Sequence, residues 1–272
     1  MDETLLRTDK TFDQDRFENI YKEFQERGIV LTIASGNSYP KLNEYFSFMN
    51  HENLYLASDN GNYLVKGKEL LYKNAIAFDD LKRAVKYLNR MDTPSIVFSD
   101  GKKTYSEWVN PENEDYVRSF NKNLEKISSI DEIKNKEIVK VAVHSDLPLD
   151  EAKKIANGLI ENFENLDSVT SGGGWLDFYR EGGGKGSAIN YLQEKYQISP
   201  ANTIVFGDSL NDASMVEHAK YSVAMENADV ALKEISSYEI GNNNEQAVLD
   251  LLEKYLNTDS LSFIEKYKGN KS

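Results

Sequence analysis

The amino-acid sequence predicts an α/β fold, with a Rossmann-like three-layer core built on a parallel sheet and an α+β cap domain inserted into it. Apolar runs at 29–34 and 203–206 end in small polar residues, as strands buried between two layers of helices do. The segment between them alternates helical and strand patterns, and a glycine run at 182–184 marks the return to the core. The predicted core therefore comprises residues 1–77 and 183–272, and the predicted cap comprises residues 78–182.

Composition limits the partners and the chemistry of this chain. Its 272 residues are 40% hydrophobic, and 45 acidic residues outnumber 32 basic ones to give a formal net charge of −13. Such a surface repels phosphate backbones and anionic lipids, so we expect neither nucleic acid nor membrane as a partner. The absence of cysteine excludes disulfides, thiolate catalysis and cysteine-ligated metals. Because no run is long enough to span a membrane and the N-terminus lacks a signal-peptide pattern, we expect a cytoplasmic protein.

The first core segment is predicted to contain one helix, two buried strands and a hairpin. Asp13 and Gly28 bound the helix, whose apolar face has i, i+3, i+4 and i+7 spacing and consists of Phe17, Ile20, Tyr21 and Phe24. The strands are the apolar run 29–34 and residues 54–58, and a turn at 59–62 leads into a hairpin around Gly67.

The cap is predicted to pack its helices on one face of a sheet. Its strands are expected at 95–98, 138–144, 167–170 and 175–179, and its helices through Tyr87, at 116–127 and at 149–163. The second core segment is predicted to contain a helix at 187–196, the strand at 203–206, a last strand at 221–225 and a last helix at 245–255. We expect the polar tail after Asn257 to be frayed.

Two acids follow the buried strand 203–206, in the sequence Gly207-Asp208-Ser209-Leu210-Asn211-Asp212. Ligands of open α/β sheets bind beyond the carboxyl ends of such strands. If the chain turns helical after Gly207, Asp208 and Asp212 share one side, where two carboxylates repel each other unless a cation lies between them. A hard divalent ion, most simply Mg²⁺, satisfies such a pair. The alternative is a helix N-terminus at which the helix dipole favours acids.

Two further sequences could bind a phosphate group. Ser35-Gly36-Asn37 supplies a hydroxyl and backbone N–H groups at a strand end, unless Ser35 simply caps a helix. Lys185 follows three glycines and opens a helix, where it would place a positive charge beside a phosphate, unless it is a solvated linker residue. A hydroxyl, a lysine and a metal-binding acid pair together suit phosphoryl transfer.

Four motifs, in order, resemble those of the haloacid dehalogenase superfamily and most closely its Cof-like phosphatases. They are Asp2-x-Thr4-Leu5-Leu6, Ser35-Gly36, Lys185-Gly186-Ser187-Ala188 and Gly207-Asp208-x-x-Asn211-Asp212. The resemblance covers nearly the whole chain, and the cap falls between the second and third motifs as in members with a large α+β (type C2) cap. It implies a Mg²⁺-dependent phosphatase that hydrolyses small phosphate monoesters, such as sugar phosphates, through an aspartyl-phosphate intermediate.

The resemblance also implies roles for the matching residues. Asp2 would be the general acid and base. Ser35 and Gly36 would bind the transferring phosphoryl group, and Asn211 would touch the phosphate. Lys185 would neutralise charge on the nucleophile and on the phosphate.

For the metal, the resemblance implies Asp208 as a direct ligand, Asp212 as support of the metal shell and the backbone carbonyl of Asp2 as a further ligand. In the family's opening motif, Asp-x-Asp-x-Thr, the first Asp is the nucleophile and Asp2 matches the second. The nucleophile would therefore fall directly before Met1, together with the apolar strand that runs through the centre of this fold. Because losing a central strand costs more than the net stability of about 5–15 kcal/mol of a typical domain, we expect the natural protein to begin upstream.

Two positions depart from the family pattern, since Asn37 stands where many relatives carry Arg and Glu3 replaces a usual glycine. Trp175, Asp177 and Tyr179 lie where the cap returns to the core and are candidates for contacting the leaving group. Sugar phosphates, other small phosphomonoesters and pyridoxal phosphate all stay open as substrates.

Two other functions compete with this prediction. Gly207-Asp208-Ser209-Leu210 matches the motif of the GDSL esterases, in which Ser209 would be the nucleophile, but only His218 follows it and no Asp-x-x-His pairing is present. The second competing function is that of a catalytically inactive relative, which binds phosphate or metal but lacks a nucleophile.

Overall fold

The computed structural model of the chain describes residues 1–88, 95–144, 149–171 and 174–268. The first core segment contains, in order, helix α1 (Gln14–Glu26), strand β1 (Thr32–Ala34), helix α2 (Tyr39–Glu44) and strands β2 (Tyr55–Ser58), β3 (Tyr63–Lys66) and β4 (Glu69–Lys73). Strands β1 and β2 are parallel, whereas β3 and β4 continue the sheet in antiparallel fashion. Helix α1 begins where the sequence predicts it because the side chain of Asp13 accepts a hydrogen bond from the N–H of Arg16.

The inserted segment contains helix α3 (Phe78–Leu88), strands β5 (Ser95–Ser99) and β6 (Thr104–Ser106), helix α4 (Glu114–Phe120), strands β7 (Leu124–Lys126) and β8 (Lys140–His144), helix α5 (Leu149–Asn162) and strands β9 (Leu166–Ser171) and β10 (Trp175–Arg180). These strands form one sheet in the order β7-β6-β5-β8-β10-β9, antiparallel except between β6 and β7. All of them lie inside the predicted cap segment 78–182, whose boundaries stay a prediction.

The two faces of the cap sheet have different coverings. Helices α3 and α5 pack on one face, where Val141 and Phe178 meet Leu159. Since successive side chains of a strand point to opposite faces, Lys140 of β8 and Asp177 of β10 belong to the other face. That face turns toward the core, because the Lys140 side chain reaches the backbone of Gly36.

The second core segment contains helix α6 (Lys185–Tyr196), strand β11 (Ile204–Gly207), helix α7 (Ala213–Val216), strand β12 (Tyr221–Met225), helix α8 (Val230–Ile235), strand β13 (Tyr238–Ile240) and helix α9 (Ala247–Thr258). Strands β11, β12 and β13 are parallel. Helices cover both faces of the first core sheet, since Ala57 of β2 packs with Leu192 of α6 while Leu56 packs in the cluster that contains Phe17 of α1. This arrangement confirms the predicted three-layer α/β core.

The parallel strands of the core fall into two sheets, and the N-terminal residues join them. Within the described ranges, β1 pairs only with β2, and β11 pairs only with β12. The amine of Met1 donates a hydrogen bond to the carbonyl of Ala34 at the end of β1 (3.4 Å). The hydroxyl of Thr4 donates to Oδ1 of Asp208, just beyond β11 (2.5 Å). One edge of each sheet therefore lies beside the start of the chain without a strand partner.

Three predicted elements were wrong. The predicted helix 116–127 ends at Phe120, and the chain continues into strand β7. The strand at 221–225 is not the last, because β13 follows it. The tail is not frayed as far as it is described, since a 3-10 helix at Ser262–Tyr267 buries Ile264 completely in the core. In the described part of the chain, no helix combines the length and apolar character needed to cross a membrane.

Candidate active site

The segments that carry the four motifs meet at the carboxyl ends of β1 and β11. Met1 lies among them, and its buried amine interacts electrostatically with Lys185, Asp212, Asp208 and Asp2. Burial and the positive charge of Lys185 lower the pKa of this amine. Residues separated by up to 211 positions in the sequence are therefore brought to one point by the parallel strands.

Asp2 is held by two partners. Its Oδ2 accepts a hydrogen bond from Nδ2 of Asn37 (3.0 Å), and its Oδ1 lies 3.3 Å from Nζ of Lys10. Burial favours the neutral form of Asp2, but the ammonium group of Met1 and Lys10 outweigh it, so the pKa of Asp2 lies below its ordinary value. Asn37, where the family pattern has Arg, thus contacts the predicted acid and base directly.

The loop after β1 holds Ser35 in a buried position. The backbone N–H of Ser35 donates to the carbonyl of Ala57, and its hydroxyl oxygen accepts the N–H of Asn37 (3.1 Å). Ser35 does not cap a helix, because α2 begins at Tyr39 and Ser38 is its N-cap residue. Ser35 therefore lies at the end of β1 without capping a helix.

Lys185 is the first residue of α6 and is only 3% exposed, so the alternative of a solvated linker lysine was wrong. Its ammonium group donates to Oδ1 of Asn211 (3.0 Å) and to Oδ1 of Asp212 (2.5 Å). Although burial opposes ionisation of Asp212, the charge of Lys185 dominates and lowers the pKa of that carboxyl group. The result is a buried ion pair beside the Met1 amine.

Asp212 also organises the loop after β11. The chain turns into a 3-10 helix at Leu210–Asp212, and Oδ2 of Asp212 accepts the backbone N–H of Asp208 (2.9 Å). The side chain of Asp212 can fold back onto this backbone only because residue 207 is a glycine. A Cβ at position 207 would lie 2.6 Å from Cβ of Asp212. Asp212 therefore binds a helical N-terminus, as one alternative predicts, and it also lies beside Asp208.

Asp208 is the residue whose chemistry fits a metal ion best. Burial and the neighbouring charge of Asp212 raise the pKa of Asp208, which is the situation that a bound cation relieves. Carboxylate oxygens are the hard donors that Mg²⁺ prefers. In the described ranges, however, no three acidic, histidine or cysteine side chains form a metal-binding group. A Mg²⁺ site here therefore needs backbone carbonyls, water or a further carboxylate.

The geometry gives no support to a serine esterase. The hydroxyl of Ser209 donates to Oδ1 of Asn211 (2.8 Å). Among the described residues, no hydrogen bond joins Ser209 to His218, whose carbonyl accepts from Gln193. Ser209 is therefore part of the loop that presents Asn211.

Lys140 and Asp59, which were not predicted from the sequence, lie with the candidate residue Asp177 at the boundary of cap and core. Lys140 reaches the carbonyl of Gly36 and lies near Asp59, which directly follows β2, and near Asp177 of β10. Two signals were present: a lysine opening the apolar run of β8, and an acid directly after a third buried strand. The second signal was not recognised, because Asp59-Asn60-Gly61 is also a typical turn sequence.

A cluster of aromatic rings lies on the same face of the cap sheet. It consists of Tyr116, Phe120, His144 and Trp175, with ring centroids 5.0 to 6.4 Å apart. Nζ of Lys41, on helix α2 of the core, lies 4.2 Å from the ring of Phe120. The cluster is thereby next to the core helix that follows Ser35.

Comparison with known proteins agrees with this arrangement. The chain is 29% identical over 269 residues to the 5-amino-6-(5-phospho-D-ribitylamino)uracil phosphatase of Escherichia coli, with 94% of each protein covered. It is 24% identical over 274 residues to the pyridoxal phosphate phosphatase of the same organism, with 94% of this chain and 96% of that protein covered. A crystal structure from Streptococcus mutans matches with a TM-score of 0.86 at 27% identity and covers 94% of this chain and 96% of its own.

The family model described as haloacid dehalogenase-like hydrolase matches residues 1–252. This match spans the converging loops of the core and the inserted sheet between them. The chain belongs to the haloacid dehalogenase-like hydrolases.

Proposed function

We propose that this protein is a Mg²⁺-dependent phosphatase that hydrolyses small phosphate monoesters through an aspartyl-phosphate intermediate. The observation that carries the proposal is the convergence of Lys185, Asp208 and Asp212 around the buried amine of Met1. A lysine and two acids at one buried point can neutralise a phosphate and hold the metal that accompanies it. Membership of the family and two nearly full-length relatives named as phosphatases support the proposal.

The attacking carboxylate is proposed to belong to a residue directly before Met1. The residue bonded to the Met1 nitrogen would lie beside Ala34, Asp208 and Lys185, because that nitrogen already does. A strand leading to it could pair with the open edges of β1 and β11. An oxygen of this carboxylate would attack phosphorus while the bond from phosphorus to the leaving oxygen breaks.

Asp2 is proposed to move the protons of both steps. Its carboxylic acid would protonate the leaving oxygen, and the resulting carboxylate would then accept a proton from the water that attacks phosphorus. That second attack breaks the bond between phosphorus and the aspartyl oxygen and releases inorganic phosphate. A peptide bond in place of the Met1 ammonium group would remove a charge that lowers the pKa of Asp2, and would thus favour the protonated form.

The remaining residues are proposed to bind and orient the reacting groups. Bound Mg²⁺ would supply charge stabilisation as a Lewis acid. Its ligands would include Asp208 and the backbone carbonyl of Asp2, with Asp212 supporting the metal shell. The phosphoryl group would be bound by Ser35, Gly36, Asn211 and Lys185.

We propose that segment 78–182 acts as a cap that encloses the leaving group. Trp175 and Asp177 lie on the face of its sheet that turns toward the core, as a leaving-group contact requires. The partner would be a small phosphorylated metabolite in the cytoplasm, and neither nucleic acid nor membrane suits the net charge of −13. The ring cluster favours a leaving group with a planar ring, a feature consistent with the uracil and pyridoxal compounds named for two relatives.

The proposal is tested in the protein extended by an apolar strand that ends in Asp directly before Met1, by hydrolysis of phenyl phosphate, a sugar phosphate and pyridoxal phosphate with Mg²⁺ and with EDTA. We expect Asp208→Asn to reduce kcat/KM for all three on the order of 10²-fold or more, because it removes a metal ligand. Asp131→Asn, which changes an exposed acid of the cap in the same way, is the matched control and should retain activity. Binding of phosphate and Mg²⁺ without hydrolysis would contradict the proposal and would identify an inactive relative.

A further inference from the structure

Lys140 of the cap is buried against the loop that carries Ser35. Its ammonium group donates a hydrogen bond to the carbonyl of Gly36 (2.5 Å). Two carboxylates flank this ammonium group. Oδ1 of Asp59, a core residue, lies 3.5 Å from Nζ, and Oδ2 of Asp177, a cap residue, lies 3.7 Å from it. Asn60 of the core also donates to Oδ2 of Asp177 (2.8 Å), so the cluster crosses the boundary in both directions.

Burial distinguishes this cluster from exposed charged contacts between cap and core. The side chains of Lys140, Asp59 and Asp177 are 10%, 1% and 5% exposed. Lys122 and Glu44, which also join cap to core, are 63% and 60% exposed. An exposed pair contributes little, whereas removing one partner from a buried pair is strongly destabilising because it leaves an uncompensated buried charge.

The contact acts on one rigid unit of the backbone. The carbonyl of Gly36 and the N–H of Asn37 belong to the same planar peptide group. Lys140 binds the carbonyl side, and the N–H side donates to the hydroxyl oxygen of Ser35. The orientation of the Ser35 hydroxyl therefore depends on a peptide plane that a cap residue holds from the opposite side.

We propose that Lys140 is a positioning residue that fixes the phosphate-binding loop Ser35–Asn37 only while the cap covers the core. Resting on the proposed function, this inference makes correct binding of the phosphoryl group depend on cap closure. Exclusion of water from the substrate and assembly of its phosphate site then occur together. Lys140 would act through the loop and would not touch the reacting atoms.

The test compares Lys140→Met with Lys122→Met, which removes an exposed contact, each in the protein extended by an apolar strand that ends in Asp directly before Met1. We expect backbone amides of residues 35–38 to exchange with deuterium several-fold faster in Lys140→Met and unchanged in Lys122→Met. We expect kcat/KM to fall about tenfold or more, because small misplacements of positioning groups have effects of up to about 10²-fold. The factor should be the same for phenyl phosphate and for a sugar phosphate, since both share only the phosphoryl group.

Unchanged amide exchange in folded Lys140→Met would overturn the inference, and a loss confined to one leaving group would make Lys140 a substrate contact instead. Lys140→Gln, which is polar but shorter, gives the same comparison if the methionine variant does not fold. Amide exchange is measured without substrate, so it still decides the inference if the parent protein hydrolyses no phosphate ester. Absence of hydrolysis in the protein extended before Met1 would count against the proposed function alone.

Discussion

Individual residues of this site are unusual chiefly because their charges are buried. Lys185 and Asp212 are 3% and 2% exposed, and each lies within hydrogen-bond distance of the other. Lys140 is comparably buried between Asp59 and Asp177. Because ionised groups leave water at a high free-energy cost, each buried lysine is paired with an acid. The protonation state of each acid then depends on its burial and on the charges around it.

Asp59 gives the clearest consequence for pH. Burial raises its pKa to about 6 from 3.8, although Lys140 opposes the shift. The folded state therefore holds this proton more tightly than the unfolded state, and the free energy of unfolding falls as pH rises from about 4 to about 6. Since one pKa unit corresponds to about 1.4 kcal/mol, this loss amounts to at most roughly 3 kcal/mol.

Asp59→Asn should remove this part of the pH dependence. Urea unfolding of the parent and the variant between pH 4 and pH 7.5 measures it, with exposed Asp131→Asn as the control. We expect the stability difference between variant and parent to change by up to about 3 kcal/mol in favour of the variant as pH rises. A difference that is constant over this range would show that Asp59 titrates normally.

Residues at strand ends could be predicted from the sequence, because an apolar run that stops at polar residues shows both the strand and its exit. Asp208 and Ser35 were singled out in this way, whereas Lys185 was singled out because it follows three glycines and opens a helix. Lys140 was not, because local pattern shows that a lysine opens a buried strand but not which loop it will reach. Its partner is 104 positions away in the sequence, and only the packing of cap on core defines that contact.

At the scale of elements, the loop after β2 is fitted tightly to the start of α6. Gly61 has a φ of +81°, and a Cβ there would lie 2.5 Å from the carbonyl oxygen of Gly184 and 2.9 Å from Cα of Lys185. A glycine is therefore required for both its conformation and its close approach. Through this contact, the loop that carries Asp59 is positioned against the helix that carries Lys185.

Gly61→Ala should destabilise the protein by about 2–4 kcal/mol, through backbone strain and overpacking together. Gly182→Ala is the matched control, because Gly182 also has a positive φ of +71°, but a Cβ added there would have open space around it in the described part of the chain. We expect that variant to lose only about 1–2 kcal/mol. Urea unfolding of both variants checks this, and equal losses would contradict the close packing of this loop on α6.

Most long elements followed from periodicity, and the errors fell on short ones. Strand β13 has three residues and β7 has three, too few for a pattern to separate them from loops or from the end of a helix. The C-terminal segment lacks a strong pattern, yet it is ordered by the burial of Ile264. Such segments take their structure from tertiary contacts and not from local propensity.

The whole molecule is organised around the space between two parallel sheets. Strands β1 and β11 each have one edge without a strand partner in the described ranges, and residues 1–4 connect their carboxyl ends. Unpaired backbone groups beside a core are unfavourable, and a parallel strand would satisfy those of both sheets at once. A carboxylate at the end of that strand would meet Lys185 and Asp208, and this placement is the central claim about the reaction.

The most direct measurement compares the phosphatase rates of three proteins. The first carries an apolar strand that ends in Asp directly before Met1, the second carries the same strand with Asn in place of that Asp, and the third is the chain that begins at Met1. Intact-mass analysis after rapid acid quenching would detect the aspartyl-phosphate. We predict that only the Asp form shows the phosphorylated species, and that its kcat exceeds the other two on the order of 10³-fold or more. Equal Mg²⁺-dependent rates in all three proteins would contradict the claim, because the attacking group would then lie within residues 1–272.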